Sequence, residues 1–302
     1  MDWLALSLIC AFSLASTDAA TKAWLHDYSA RELTLVRFSL TGLVLTPLLS
    51  GMPTLADLPL PFWGWVAAMV PLEMAAMLLY MTAIRDHPLS LTLPYLAFTP
   101  VFVILIAFVV LGERVTPSGA AGVILVACGA WLLNVRHARY DDWRSWAEPL
   151  RAILYEPGSR MMMAVAVIYA FTSTMGKAAM QYLGPHHFGA FYFALLGLAA
   201  LIVFGLPQPS RLLRALGRSR QGGRSGGHFW AVLAVVGLNA AMIYTHFLAL
   251  ARVDVAYMIS VKRTSLLFGI LYGALVFREP GLVTHLPAGV LMLAGVVLIA
   301  LA

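Results

Sequence analysis

The sequence predicts an all-α polytopic membrane protein whose ten transmembrane helices form two inverted five-helix repeats. Three observations carry that prediction. Of 302 residues, 61% are hydrophobic and only 11% charged, whereas soluble domains hold about 45–50% apolar and about 25% charged residues. Ten apolar runs approach or reach the roughly 20 residues that a helix needs to cross the hydrocarbon. One pattern of 34 residues occurs twice, at 80–113 and 246–279.

The runs fall at 3–24, 32–50, 62–84, 89–111, 117–134, 160–182, 186–206, 228–250, 255–277 and 283–301. The first follows Met1-Asp2-Trp3, which has no basic segment and no small-residue cleavage site, so it reads as a retained span rather than a signal peptide. Cys10 and Cys128 both lie in apolar runs, which argues against a disulfide framework or a cysteine metal site. Most connections are short and carry Pro, Gly or Asp. The domain organisation expected is a first five-helix repeat over 1–134, a linker over 135–159 and a second repeat over 160–302. Within the linker, Trp143, Trp146, Leu150 and Ile153 recur every three or four residues with arginines between them. That spacing suits either a short helix on the membrane surface or an unstructured linker. The other long connection is 207–227, in which Arg211 to Gly227 is rich in Arg, Gly and Ser and reads as mobile.

Lys and Arg distribution sets the expected orientation. Outside the spans, one side collects thirteen arginines, most of them in the two long connections, and the other side has Arg114 and Arg252. The basic loops therefore face the cytoplasm, and with ten spans both termini face outward. The net charge of +6 comes from these loops and calls for no nucleic-acid partner.

Each copy of the 34-residue pattern holds the end of one span, a polar turn, a full span and a closing Glu, at Glu113 and Glu279. A span with a Gly-Val pair follows each, Gly122-Val123 and Gly289-Val290. The first span of each half also matches, with Thr17-Asp18-Ala19-Ala20-Thr21-Lys22-Ala23 beside Thr172-Ser173-Thr174-Met175-Gly176-Lys177-Ala178. Five spans per half is an odd number, so the second half is inverted in the membrane. Inverted repeats of this kind carry a binding site near the midplane.

All three lysines, Lys22, Lys177 and Lys262, fall inside spans. An intramembrane cation costs about 2.5–3.5 kcal/mol on insertion scales, so it normally faces a cavity or a partner. Lys262-Arg263 lies near the middle of span nine, too deep for easy snorkelling, and its equivalents in the first half are Leu96 and Ala97. Two adjacent cations suit a multiply charged anion, Arg as a planar fork and Lys as a point charge. The competing expectation pairs them with a carboxylate such as Glu73. Lys177 and Lys22 are pseudo-symmetric. Lys22 is close enough to its span end to snorkel, and Asp18 lies four residues earlier on the same face. Glu73 sits mid-span with Asn239 as its repeat equivalent, either as a proton carrier for coupling or as charge balance for the dyad. Tyr80, Tyr244, His246, Thr264 and Ser265 are polar positions on inner spans, candidates for substrate contact or for helix–helix hydrogen bonds. Glu113 and Glu279 read as structural residues closing their spans.

The stretch 89–134, with its Thr99-Pro100-Val101-Phe102 element and its Leu111-Gly112-Glu113-Arg114 span end, resembles the EamA-type pattern of the drug/metabolite transporter superfamily. Lys22 and Arg37 sit where that family often carries a Lys and an Arg. The resemblance implies a small-molecule transporter. It also implies both termini inside, against the arginine distribution, which is the reading kept here. The segment Ser260-Val261-Lys262-Arg263 resembles the Lys-Arg element of the triose-phosphate translocators, which implies contact with a substrate phosphate.

Three functions follow as expectations. The first is a secondary active transporter or exchanger of a small organic anion (phosphate ester, phosphonate or carboxylate), working by alternating access in the plasma membrane, or the inner membrane of a Gram-negative cell. The second is an amino-acid or metabolite exporter of the same fold with its charges structural. The third is a membrane-embedded enzyme, disfavoured because no H-E-x-x-H, G-x-S-x-G or Gly-rich phosphate loop occurs. His186-His187 stand at a span boundary without ligand partners nearby, and no filter-like segment suggests a channel. No cofactor is expected, transport must run on gradients or exchange, and Pro94, Gly176 and Gly269 are candidate hinges.

Overall fold

The computed structural model describes residues 2–87, 93–132, 155–216, 225–276 and 286–302. These residues are helical throughout, with short connections. Helix α1 spans Trp3–Trp24, α2 Ala30–Leu49 and α3 Leu60–Asp86. Helix α4 runs over Thr99–Leu111 behind a 3₁₀ entry at Leu93–Phe98, and α5 covers Pro117–Leu132. The second half holds α6 over Pro157–Leu183, α7 over Pro185–Gly205, the short α8 over Pro209–Ala215 and α9 over Ser225–Leu250. Helices α10, Val255–Lys262, and α11, Ser265–Leu275, follow, and α12 covers Leu286–Ala300.

Seven of these segments are long and apolar enough to cross a membrane, with α10 and α11 taken as one. Three shorter apolar helices, Tyr95–Leu111, Pro117–Leu132 and Pro287–Ala300, stand at the remaining expected spans. The linker reading for 135–159 and the residue Glu279 lie mostly or wholly outside the described residues. Two features add to these expectations. The connection after α7 is not irregular throughout, because Pro209 opens about two turns of helix, Pro being pre-organised for the first helical position. Nor is span nine a continuous helix: it breaks at Arg263–Thr264.

Local chemistry explains the ends. Asp2 accepts from Trp3 N at 2.7 Å to start α1. Ser29 and Glu32 form a reciprocal capping box at the start of α2, with Ser29 N donating to Glu32 Oε2 at 2.7 Å. Gly112 closes α4 at φ 71, a left-handed conformation that glycine adopts without strain. At the span-nine break the ladder tightens into three-residue steps, Arg263 N to Ser260 O at 3.0 Å and Thr264 N to Val261 O at 3.0 Å. The Thr264 hydroxyl also bonds back to Val261 O at 2.7 Å, which competes with the α-helical pattern.

Close packing relies on small residues, since lipid gives no hydrophobic drive between helices. Helices α2 and α7 meet backbone to backbone. A Cβ on Gly197 would lie 2.9 Å from Phe38 O, and one on Gly42 would collide with Phe193 O. Helices α5 and α12 cross at Gly122 and Gly295, where an added Cβ on either would meet the other's carbonyl oxygen at 2.6–2.7 Å. Helix α1 packs on α9 and α11, and α6 packs on α3 and α4. An aromatic cluster of Phe62, Phe188, Tyr192 and Phe247 joins α3, α7 and α9. Leu105, Phe108, Val109, Val203 and Val297 point outward and are exposed. So many large apolar side chains facing out suit lipid, and water would disfavour them.

Candidate functional site

Nearly every long helix contributes to one internal cavity of about 120 Å³. Two features of the backbone aim charge into it. In α2, the stretch Leu35–Leu40 is a π-helix, a widened turn of the kind that gathers at functional sites, and it carries Arg37 on the cavity wall. In span nine, the break falls directly after Lys262, so Lys262 and Arg263 both line the cavity although successive helical residues normally diverge by about 100°.

The two cationic groups differ in their partners. The Arg37 side chain is 3% exposed, and its Nη2 donates to Asp18 Oδ1 at 2.5 Å and to Thr21 Oγ1 at 3.2 Å. Tyr80 Oη donates to the other Asp18 oxygen at 3.1 Å. Asn239 on α9 completes this cluster by donating to Arg37 O at 3.0 Å and Thr41 Oγ1 at 3.1 Å. Arg263 is buried too, and its Nε, like that of Arg37, has no hydrogen-bond partner, so the difference lies in the counter-charge. Among the described residues neither Lys262 nor Arg263 lies within ion-pair distance of a carboxylate. Lys262 Nζ instead stands 3.4 Å from His246 Nδ1. Glu73 lines the same cavity, on α3 just after Pro71, as does Thr172 on α6.

Of the residues singled out from sequence, Lys262, Arg263, Tyr80, His246, Glu73 and Asn239 are brought together on the cavity wall. Asp18 reaches it through Arg37 and Tyr80. The others are elsewhere. Lys177 does not line the cavity: its Nζ donates to Glu113 Oε1 at 2.5 Å and to Val253 O at 2.8 Å. The second Glu113 oxygen accepts from Val255 N at 2.9 Å, so one carboxylate ties the end of α4 to α6 and to the first turn of α10. Lys22 is exposed near the end of α1. Tyr244 Oη stands 3.4 Å from His186 Nδ1, outside the lining. Thr264 and Ser265 are buried at the helix break, with the Thr264 hydroxyl spent on its own backbone.

Several lining residues were not candidates on sequence: Tyr169, Tyr192, Thr172 and Ser173. The repeat offsets contain the signal. Lys22 and Lys177 differ by the same number of positions as Leu14 and Tyr169, or Arg37 and Tyr192. Glu73 and Asn239 share their offset with Tyr80 and His246, and with Leu96 and Lys262. Each of the last five pairs contributes both members to the cavity wall. No group of three or more His, Cys, Asp or Glu side chains able to hold a metal occurs among the described residues.

The model of the EamA-like transporter family matches residues 1–135 and 157–301. A solved crystal structure aligns with a TM-score of 0.71 over 99% of each chain at 17% identity, a likeness of fold alone. No curated protein matches the sequence.

Proposed function

Since the chain belongs to the EamA-like transporter family, we propose that it is a secondary transporter or exchanger of a small organic anion. A phosphate ester, phosphonate or carboxylate would dock on Arg263 and Lys262. The observation that carries this reading is Arg263, a buried guanidinium on the cavity wall with an unpartnered Nε and no carboxylate in ion-pair range. Burying a charge without a counter-charge is costly, and a bound anion removes that cost. The guanidinium fork suits a planar or tetrahedral oxyanion, and the Lys262 ammonium adds a second charge. In the exporter alternative, protein carboxylates neutralise these cations, and no ion pair among the described residues does so.

Alternating access is the mechanism we infer, with ten spans in two inverted five-helix halves. The packing supports it. Exchanging spans one to five with spans six to ten turns α1 against α9 into α6 against α3, and α1 against α11 into α6 against α4. The α2–α7 and α5–α12 contacts map onto themselves. Even the reciprocal approach of Gly42 to Phe193 and Gly197 to Phe38 obeys the exchange. A carrier built this way rocks its halves about a fixed midplane site. The arginine-rich connections favour the cytoplasmic side for 135–159 and 207–227, in a plasma or inner membrane.

The test is ligand-induced thermal stabilisation of the purified protein against organic phosphates, phosphonates, carboxylates, amino acids and amines. A ligand at one hundred times its Kd adds about 2.7 kcal/mol to the folded state. The expected result is stabilisation by an anion in the wild type and its loss in Lys262→Ala and Arg263→Ala. Stabilisation by neutral or cationic solutes alone, unchanged in both variants, would refute the anion reading.

A further inference from the structure

Glu73 is out of keeping with an anion cavity. A carboxylate on the wall repels the substrate that Arg263 and Lys262 attract, and it does not offset their charge by direct pairing, since neither cation is within ion-pair distance. Nor does the fold require a charge there. The position at the same offset in the other half is Asn239, a neutral amide that donates to Arg37 O and Thr41 Oγ1. A Gln at 73 would supply the same kind of neutral polar group. The carboxyl is therefore surplus to the structure and available for another task.

We propose that Glu73 is the proton-coupling site of the carrier, binding one proton each time an anion occupies the Arg263–Lys262 site and releasing it when the anion leaves. The proposal rests on the anion reading above. Its physics is mutual repulsion. An anion brought into the cavity disfavours the ionised form of a nearby carboxylate, more strongly in a low-dielectric interior than in water. Glu73 then takes a proton from the water on the open side. Linkage is reciprocal, so a proton on Glu73 strengthens anion binding by the same factor. The cavity charges balance accordingly. Arg37 and Asp18 cancel as an ion pair. Lys262 and Arg263 then carry two positive charges, which a dianion neutralises when Glu73 is protonated. Anion and proton enter together on one side and leave together on the other, so a pH gradient drives the anion.

The groups facing Glu73 are Tyr169 and Thr172 on α6, Tyr192 on α7, Arg37 on α2, Asn239 and His246 on α9, and Lys262 and Arg263 at the break. Tyr80 lies on the same helix. His246 is a lining group whose ordinary range lies near neutral pH, so the test must separate it from Glu73.

Sulfate is the probe, because it keeps both charges from about pH 5 to about pH 8 and its own ionisation cannot mimic coupling. Its apparent affinity for the full chain is read from melting-temperature shifts across a concentration series at both ends of that range. The expected wild-type result is tighter binding at low pH, by up to about tenfold per pH unit for one linked proton. Glu73→Gln should bind sulfate with one affinity at both. A second measurement needs no variant: adding sulfate to wild-type protein in weak buffer should raise the pH as protons are taken up. Equal wild-type affinity at both ends, with no proton uptake and with binding still lost in Arg263→Ala, overturns the coupling and leaves the anion reading standing. Persistent pH dependence in Glu73→Gln overturns it in favour of His246. An aminoalkylphosphonate that stabilises the wild type and not Glu73→Gln also overturns it, making Glu73 an ammonium anchor. If neither sulfate nor the organic anions stabilise the wild type, the anion reading falls and the coupling with it.

Discussion

Removing the Asp18 carboxylate strikes the one cationic group of the cavity that has a counter-charge among the described residues. Arg37 is 3% exposed and holds two hydrogen bonds to side chains, with Asp18 and Thr21, while its Nε has no partner. In Asp18→Ala the guanidinium keeps a single hydroxyl. Breaking a buried pair by deleting one partner costs about 3–5 kcal/mol. The Asp18 side chain retains 32% exposure, so water from the cavity relieves part of the loss and the lower end, about 3 kcal/mol, is expected. With about 2–4 °C lost per kcal/mol, the melting midpoint should fall by about 6–12 °C. The assay is thermal unfolding of purified protein in detergent, at one scan rate, for Asp18→Ala, Arg37→Ala and the double variant. Once Arg37 is gone, deleting Asp18 should cost little beyond its bond from Tyr80, about 1 kcal/mol. A cost for Asp18→Ala that is the same in both backgrounds would show that the two charges are not coupled, and the account of this cluster would be wrong.

Three further outcomes are expected. Gly42→Ala and Gly197→Ala should each destabilise by about 1–3 kcal/mol, because the new methyl meets a backbone carbonyl that cannot step aside, while Gly237→Ala, with no atom within 4 Å of the added carbon, should be neutral or stabilising by up to about 1 kcal/mol; melting midpoints compare them. Glu113→Gln keeps an acceptor for Val255 N but loses the ion pair to Lys177, so its midpoint should drop by the equivalent of about 1.5–3 kcal/mol. Exchanging the pair, as Glu113→Lys with Lys177→Glu, should restore only part of that stability, since the Val255 amide then faces a cation.

How much of this was legible in sequence depended on the length scale of the signal. Apolar runs and their lengths announce membrane helices directly, because composition alone meets the solvent's demand. A recurring offset could be read there too, since Glu73 and Asn239 stand as far apart in sequence as Tyr80 and His246. What periodicity cannot register is a helix that departs from periodicity. The break at Arg263–Thr264 depends on a Thr hydroxyl bonding its own backbone, and the π-turn around Arg37 leaves no compositional mark. Lys177 and Arg37 illustrate the resulting confusion. Both are cations within spans, yet Lys177 is held by Glu113 at the end of α4, whereas Arg37 faces the cavity. Tyr192 was missed because a tyrosine in an apolar run looks like packing, although its offset from Arg37 marks it as the partner position.

The glycine crossing of α5 and α12 bears on how the molecule is assembled as it is made. Gly122 and Gly129 on α5 pack against Ala288, Met292 and Gly295, residues that are synthesised after every other described helix. Until they emerge from the insertion machinery, the small-residue groove on α5 faces lipid, and the early half waits in the bilayer with one seam open. Quality control therefore has a clear object to survey. A chain stopped before residue 286 carries the cavity residues but lacks the closing helix, so it should be cleared by membrane proteases faster than the full chain, as a pulse-chase comparison would reveal.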